Sequence, residues 1–279
     1  MSESMEHPFA PFVRILGKGQ KGSRGLTQEE AYTAMGMLLD GKVEDVQLGA
    51  FLMLLRFKEE TPEELAGFTQ AVRERVTAPA IAVDLDWPTY AGKRRQLPWF
   101  MLAAKALANN GVRIVMHGGG RHSAGRMYAE DVLDALAIKS CNSWDEVAEH
   151  IERDNIAFIS LGVWMPRLQR MIDLRNTLGL RSPVHSLARL LNPLSARCGL
   201  QSIFHPGYQV VHQQANVILG DHALVIKGDG GEIEVRPDAT DQLLGATDGQ
   251  AWTEEWPAQI GRQVKAQSLD AERLLALWQ

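Results

Sequence analysis

The sequence predicts a small helical domain joined to an α/β domain with a mostly parallel central sheet. Two textures carry that prediction. Residues 9–76 hold apolar residues at helical spacing between recognisable helix caps, and from Ala78 onward short apolar runs alternate with helical patterns. Size agrees. At 279 residues, 45% hydrophobic and 23% charged, the chain can bury the cores of one or two domains. No apolar run approaches the roughly 18 residues of a membrane span. The opening M-S-E-S-M-E-H-P has acids where a signal peptide needs cations, which predicts a cytoplasmic protein.

Taken in order, residues 9–16 form a short helix, and G-K-G-Q-K-G-S-R-G then makes a flexible basic loop. Thr27 caps a helix over 28–39, with Glu30 completing a capping box. The next helix, 45–57, repeats Leu48, Phe51, Leu52 and Leu55 on one face. Thr61-Pro62-Glu63-Glu64 opens a third, which runs to about residue 76: a threonine cap, proline at the first helical position and acids in the first turn. Strands are expected at 81–83, 112–116 and 156–161, and helices at 97–109, 129–136, 165–177, 184–191 and 207–218. Residues 223–226 and 232–235 read as a strand pair around Gly228-Asp229-Gly230-Gly231. The tail from Thr240 is acidic and less regular, ending in a helix near 269–278.

The net charge of −5 hides an uneven distribution. Stretches 7–28, 87–129 and 174–220 contain no Asp or Glu, yet together carry 15 Lys or Arg. All 34 acids fall in the remaining 167 residues. Such segregation suggests a basic face opposite an acidic one, although a buried parallel sheet also depletes acids. Two cysteines, Cys141 and Cys198, exclude a disulfide framework and a cysteine-rich zinc site. The four histidines from His185 to His222 match no metal-ligand spacing.

Within the acid-free gap that holds the most cations, P-T-Y-A-G-K-R-R-Q at 88–96 follows an apolar run and precedes a helix. That is the crossover where α/β proteins hold phosphates on backbone N–H groups. Here a single glycine, Gly92, is followed by Lys93, Arg94 and Arg95.

The run from Leu26 to Phe68, including D-G-K-V-E-D-V-Q-L-G-A-F, closely resembles the helical domain of anthranilate phosphoribosyltransferases, of glycosyltransferase family 3. So do H-G at 117–118 with E-D-V-L-D-A-L at 130–136, and L-R-N-T-L-G-L-R-S-P-V-H…L-L-N-P at 174–193. The resemblance covers about residues 26–240. It implies the type II nucleoside phosphorylase/phosphoribosyltransferase-like fold. On that fold residues 1–78 are a helical dimerisation domain, completed by helices from about 164–192, and 79–279 are the α/β domain. Active members use magnesium and phosphoribosyl pyrophosphate.

The departures fall on the family's chemistry. Its G-T-G-G-D-G pyrophosphate loop reads T-Y-A-G-K-R-R, and the Asn after H-G is a glycine. The magnesium-binding D-E pair is reduced to Gly231-Glu232, leaving Asp229 and Glu232 as weak metal candidates. Arg175 matches the arginine that contacts anthranilate, so Tyr90, Gly92, His117, Gly118 and Arg175 mark a vestigial substrate site. The P-T-Y-x-G-x-R-x-Q pattern resembles the YbiB-type branch, whose members are nucleic-acid-binding homodimers.

The expectation is therefore a sequence-tolerant DNA- or RNA-binding homodimer that needs no cofactor and no membrane. Its contacts are expected from Arg14, Lys18, Lys21 and Arg24 on the first loop, Lys93, Arg94 and Arg95 on the second, and Arg121 and Arg126 on the third. Tyr90, Trp99 and Tyr128 stand beside these cations as candidates for stacking on bases. No sequence-reading module is present. The alternative is a phosphoribosyl- or glycosyltransferase with an altered substrate and magnesium.

Overall fold

A computed structural model describes residues 6–19, 21–94, 96–121, 123–262 and 269–278. Arg95 lies outside the described residues. The helical part opens with α1 (Ala10–Gly17), α2 (Gln28–Leu39), α3 (Asp45–Lys58) and α4 (Pro62–Arg73). Thr27 and Thr61 both form complete capping boxes, with Glu30 and Glu64 returning to the cap N–H, so both helix starts are fixed by local chemistry. Leu48, Phe51, Leu52 and Leu55 are buried together with Phe9, Phe68 and Val72. Met165, Leu168, Met171, Ile172 and Val184 join the same core from the middle of the chain. They come from the stretch that holds α7 (Leu161–Trp164), α8 (Pro166–Asp173), α9 (Arg175–Leu178) and α10 (Val184–Leu187).

The α/β part is one eight-stranded sheet. Its strands are β1 (Leu85–Thr89), β2 (Ile114–Gly118), β3 (Ser140–Cys141), β4 (Ile156–Ser160), β5 (Cys198–Ser202), β6 (Ala223–Ile226), β7 (Asp241–Thr247) and β8 (Gln250–Trp256). The order is β3-β4-β2-β1-β5-β6-β7-β8, parallel through β6 and antiparallel from β6 to β8. Helices α5 (Phe100–Asn109), α6 (Trp144–Asp154), α11 (Pro206–Leu219) and α12 (Glu272–Trp278) accompany it. Among the described residues no helix is long and apolar enough to cross a membrane.

Several elements differ from the sequence expectation. The first strand is Leu85–Thr89, not 81–83; Ile81 and Val83 pack into a core cluster without joining the ladder. Pro88 stands inside that strand, beyond the two residues where β1 pairs with β5; proline is tolerated where one side of a strand is open. Residues 232–235 form no strand with β6, which pairs with β7 instead, so the tail is a hairpin rather than irregular. Segment 129–136 is two 3₁₀ turns. Helix α6, capped by Ser143 through the Glu146 N–H, was not anticipated although its S-x-x-E signature was readable.

Strand order reverses between β1 and β5, so the crevice beyond the carboxyl ends of these strands is the expected ligand position. The helical part is fastened alongside by Arg73 of α4. Its guanidinium donates to the carbonyls of Leu190 and Leu191 and to both carboxylate oxygens of Asp221.

Helices α2 and α4 cross at Gly67, where an added Cβ would come within 2.2 Å of the Gln28 carbonyl oxygen and 2.9 Å of the Ala31 Cβ. Gly67→Ala is therefore expected to lower stability by about 2 kcal/mol, overriding the gain of about 1 kcal/mol that alanine brings to a helix interior. Urea unfolding measures it; an unchanged or raised midpoint would show that the crossing is loose.

Candidate anion site at the sheet edge

Four loops meet at the carboxyl edge of the parallel strands, those after β1, β2, β5 and β6. The β1 loop pairs with the β2 loop through reciprocal backbone bonds between Lys93 and Met127. It is joined to the β6 loop by Glu232, whose Oε1 accepts the N–H groups of Ala91, at 2.7 Å, and Gly92, at 2.5 Å. Two successive amides turned toward one oxygen form an anion nest. Gly92 supports it with φ +67°, and a Cβ there would press on the Tyr128 ring. The nest is occupied by the protein's own carboxylate.

Lys93 corrects the sequence expectation most sharply. Its side chain is 1% exposed, and Nζ donates to Asp229 Oδ2 at 2.9 Å, Glu234 Oε1 at 2.7 Å and the Asp229 carbonyl. It is an internal counter-ion and not a surface phosphate contact. The same bonds engage the acids that were candidate metal ligands. Asp229 and Glu234 share the Lys93 ammonium and Glu232 faces two amides, so the acids present do not fit a magnesium ion. No group of three candidate metal ligands occurs among the described residues.

Tyr90 and His117, expected at a vestigial substrate site, are likewise turned inward. The Tyr90 hydroxyl lies 2.7 Å from His117 Nδ1, and His117 Nε2 lies 3.1 Å from Asp86 Oδ1. All three side chains are buried, and both imidazole nitrogens are engaged within the fold. Asp86 accepts from Nε2–H and Nδ1 from the phenol, since a carboxylate only accepts. Tyr90 also packs on Gly119. Tyr128 is buried as well and Trp99 is half-buried against the core, so Tyr90 and Tyr128 offer no stacking surface.

The remaining cations divide into two groups. Arg14 is paired with Glu6, Arg24 makes two bonds to Glu30, and Arg121 is paired with Asp131. Lys18, Lys21 and Arg94 are exposed. The first loop abuts the end of α3, where Lys58 Nζ reaches Ser23 Oγ.

Arg126, by contrast, enters the crevice and donates to the carbonyls of Ala91, Gly92 and Gly230. There it meets Arg56, Arg181 and Arg189 around a cavity of about 250 Å³ whose one carboxylate, among the described residues, is Glu60. Sequence reading missed this cluster because its members come from α3, the β2 loop and the segment returning through the helical core. Arg175 and Arg181 both donate to Ser123 Oγ. Burial and the neighbouring Arg126, Arg189 and Arg175 pull the Arg181 guanidinium down to about 10. Arg189, also buried, is lowered by burial. Cations gathered at this density with one acid among them are relieved by a bound anion.

Burial raises the Glu232 carboxyl to about 7, against the opposing pull of the Gly92 amide and Arg189. A carboxyl raised in the folded state binds its proton more tightly there than in the unfolded chain. Its contribution to stability is therefore full below the unfolded value near 4.5 and is lost as pH rises toward 7. Between pH 5 and 8 the wild type is expected to lose about 3 kcal/mol relative to Glu232→Gln, measured as the difference between their pH–stability curves. Parallel curves would show that Glu232 stays ionised throughout.

The helical-bundle model of the glycosyl transferase family matches residues 11–76, and the a/b-domain model of that family matches residues 101–258. Among curated proteins, the uncharacterized protein YbiB of Escherichia coli K12 is 26% identical over 241 residues, spanning 84% of this chain and 75% of that one. An anthranilate phosphoribosyltransferase of Rhodococcus jostii RHA1 is 30% identical over 259 residues, 91% of this chain and 70% of that one. Among solved structures, the anthranilate phosphoribosyltransferase of Thermus thermophilus superposes with a TM-score of 0.78 at 25% identity, covering 96% of this chain and 80% of that one.

Proposed function

The chain belongs to the glycosyl transferase family whose helical-bundle and a/b domains it carries, and on that scaffold we propose a homodimeric, sequence-tolerant nucleic-acid-binding protein. The observation that supports this reading is the arginine cavity beside a nest already filled by Glu232. The donor's pyrophosphate would need those amides, whereas a polymer's phosphates need only the arginines and the surrounding surface cations. Guanidinium groups suit phosphate oxygens by geometry as well as charge, and a run of such contacts gives affinity without base readout.

Conversion of phosphoribosyl pyrophosphate remains the second reading. It is favoured by the enzymes among the relatives and by Arg175, which donates to Ser123 near the cluster. A mobility shift with unrelated single- and double-stranded oligonucleotides, beside a phosphoribosyl pyrophosphate isotherm with magnesium, separates the two. Oligonucleotide binding of every sequence and no saturable isotherm is the expected outcome. Saturable donor binding with turnover of anthranilate would overturn it.

The arginines carry a quantitative expectation. Replacing Arg56 and Arg181 together by Ala should weaken binding to all sequences alike and flatten the log–log salt slope by about 1.4 to 1.8. Lys93→Ala should leave the slope alone and instead cost about 3 kcal/mol of stability, because it strands two carboxylates. A triple change at Lys93, Arg94 and Arg95 would mix those effects, so the single variants are the informative ones. An unchanged slope in the arginine pair would remove the cavity from the contact surface.

Dimerisation has its own support. Val46 and Phe57 on α3 are 79% and 88% exposed, an apolar face beyond what one helical domain covers. Sedimentation at micromolar concentration should give a dimer, and Phe57→Asp a monomer. A wild-type monomer would reject the homodimer.

A further inference from the structure

Phe204 stands out in the crevice. It follows β5, where Ile203 turns inward onto Val225 and Leu244, and the next side chain is thereby sent outward. Phe204 is 55% exposed, yet it is held from one side, its ring edge-on to the His205 ring with centroids 5.2 Å apart. Helix α11 starts at Pro206 directly after, so the ring is carried by a short turn between a strand and a helix. That turn lies on the β5 side of the point where strand order reverses.

Two cavities adjoin it. One is the arginine cavity; the second, of about 260 Å³, is lined by Arg94, Gln96 and Asp229 among others. Phe204, Arg126 and Gly230 line both. An exposed aromatic face between two cation-lined hollows has the parts of a single-strand binding site: a surface for one base and a positive seat for the phosphates to either side.

We propose that Phe204 is the platform on which an unpaired base of a single-stranded nucleic acid stacks, with its flanking phosphates held by Arg126 and Arg181 on one side and Arg94 on the other. This rests on the nucleic-acid reading above and adds the strand form and the contact mode. A duplex keeps its bases inside the stack and presents only phosphates to the same residues. Binding by stacking tolerates any base, since every base has a π face, so it agrees with the lack of a sequence-reading module.

The test is fluorescence anisotropy at one fixed salt concentration with three probes of equal length: a mixed-sequence single strand, an abasic single strand and a duplex. Wild type should bind the mixed strand more tightly than either other probe. Phe204→Ala should lose affinity for the mixed strand by about 5- to 150-fold, with abasic-strand binding and salt slope unchanged. Phe204→Trp should keep the preference, which excludes a folding defect at that position. Equal loss on the mixed and abasic strands, or no loss on either, would overturn the stacking role while leaving phosphate binding in place. A wild type that binds none of the three probes would instead reject the nucleic-acid reading itself, and this proposal with it.

Discussion

The contact on which the site depends is the carboxylate of Glu232 against the two amides of Ala91 and Gly92. It locks the loop after β6 onto the loop after β1, and every neighbouring feature is arranged around that closure. Arg126 can reach the carbonyls of Ala91, Gly92 and Gly230 because the two loops are already together. A Cβ on Gly228 would lie 1.7 Å from the Glu232 carbonyl oxygen and 2.2 Å from Ser202 Oγ, so the β6 loop passes through a gap only glycine fits. Burying a carboxylate is costly unless its hydrogen bonds are made. The two amides and the nearby Arg189 charge offset that cost in part, and the raised proton affinity of Glu232 is the remainder.

Charge segregation follows from the same closure. Acids from the β6 loop point inward to Lys93 and the nest, while Arg126, Arg181 and Arg189, from the acid-free stretches, converge on the crevice with Arg56. The chain is net negative, but its acids near this edge are mostly consumed by internal partners. What faces the cavity is positive. Field focusing in a low-dielectric cleft makes that local sign, rather than the net charge, decide which ligands are drawn in.

Local signals were legible in the sequence and long-range ones were not. Thr27 and Thr61 announced their helices because a capping box is complete within four residues. The parallel sheet was visible through apolar runs at 112–116 and 156–161, which the structure places as buried strands at Ile114–Gly118 and Ile156–Ser160. Lys93 was misplaced because its partners, Asp229 and Glu234, are 136 and 141 residues away. Nothing in K-R-R distinguishes the buried Lys93 from the exposed Arg94. Phe204 escaped notice for the converse reason: S-I-F-H-P has no charge pattern, and only the turn from β5 into α11 reveals which of its two apolar side chains points outward.

The anion nest and the acids of the β6 loop each find a partner within the chain. The amides of Ala91 and Gly92 hold the Glu232 carboxylate, and the carboxylates of Asp229 and Glu234 hold the Lys93 ammonium. The two pairings support each other. With Lys93 between Asp229 and Glu234, the β6 loop is drawn toward the β1 loop, which brings Glu232 into the nest. With Glu232 in the nest, Lys93 stays buried beneath it. An incoming pyrophosphate must displace a carboxylate that already holds both amides, and leave that carboxylate buried without them. The arginines of the neighbouring cavity hold carbonyls and a hydroxyl instead, with Glu60 the one carboxylate among the described lining residues. On the proposed reading, an anion arriving at this edge is met by the surface that Arg126 and Phe204 share rather than by the filled nest.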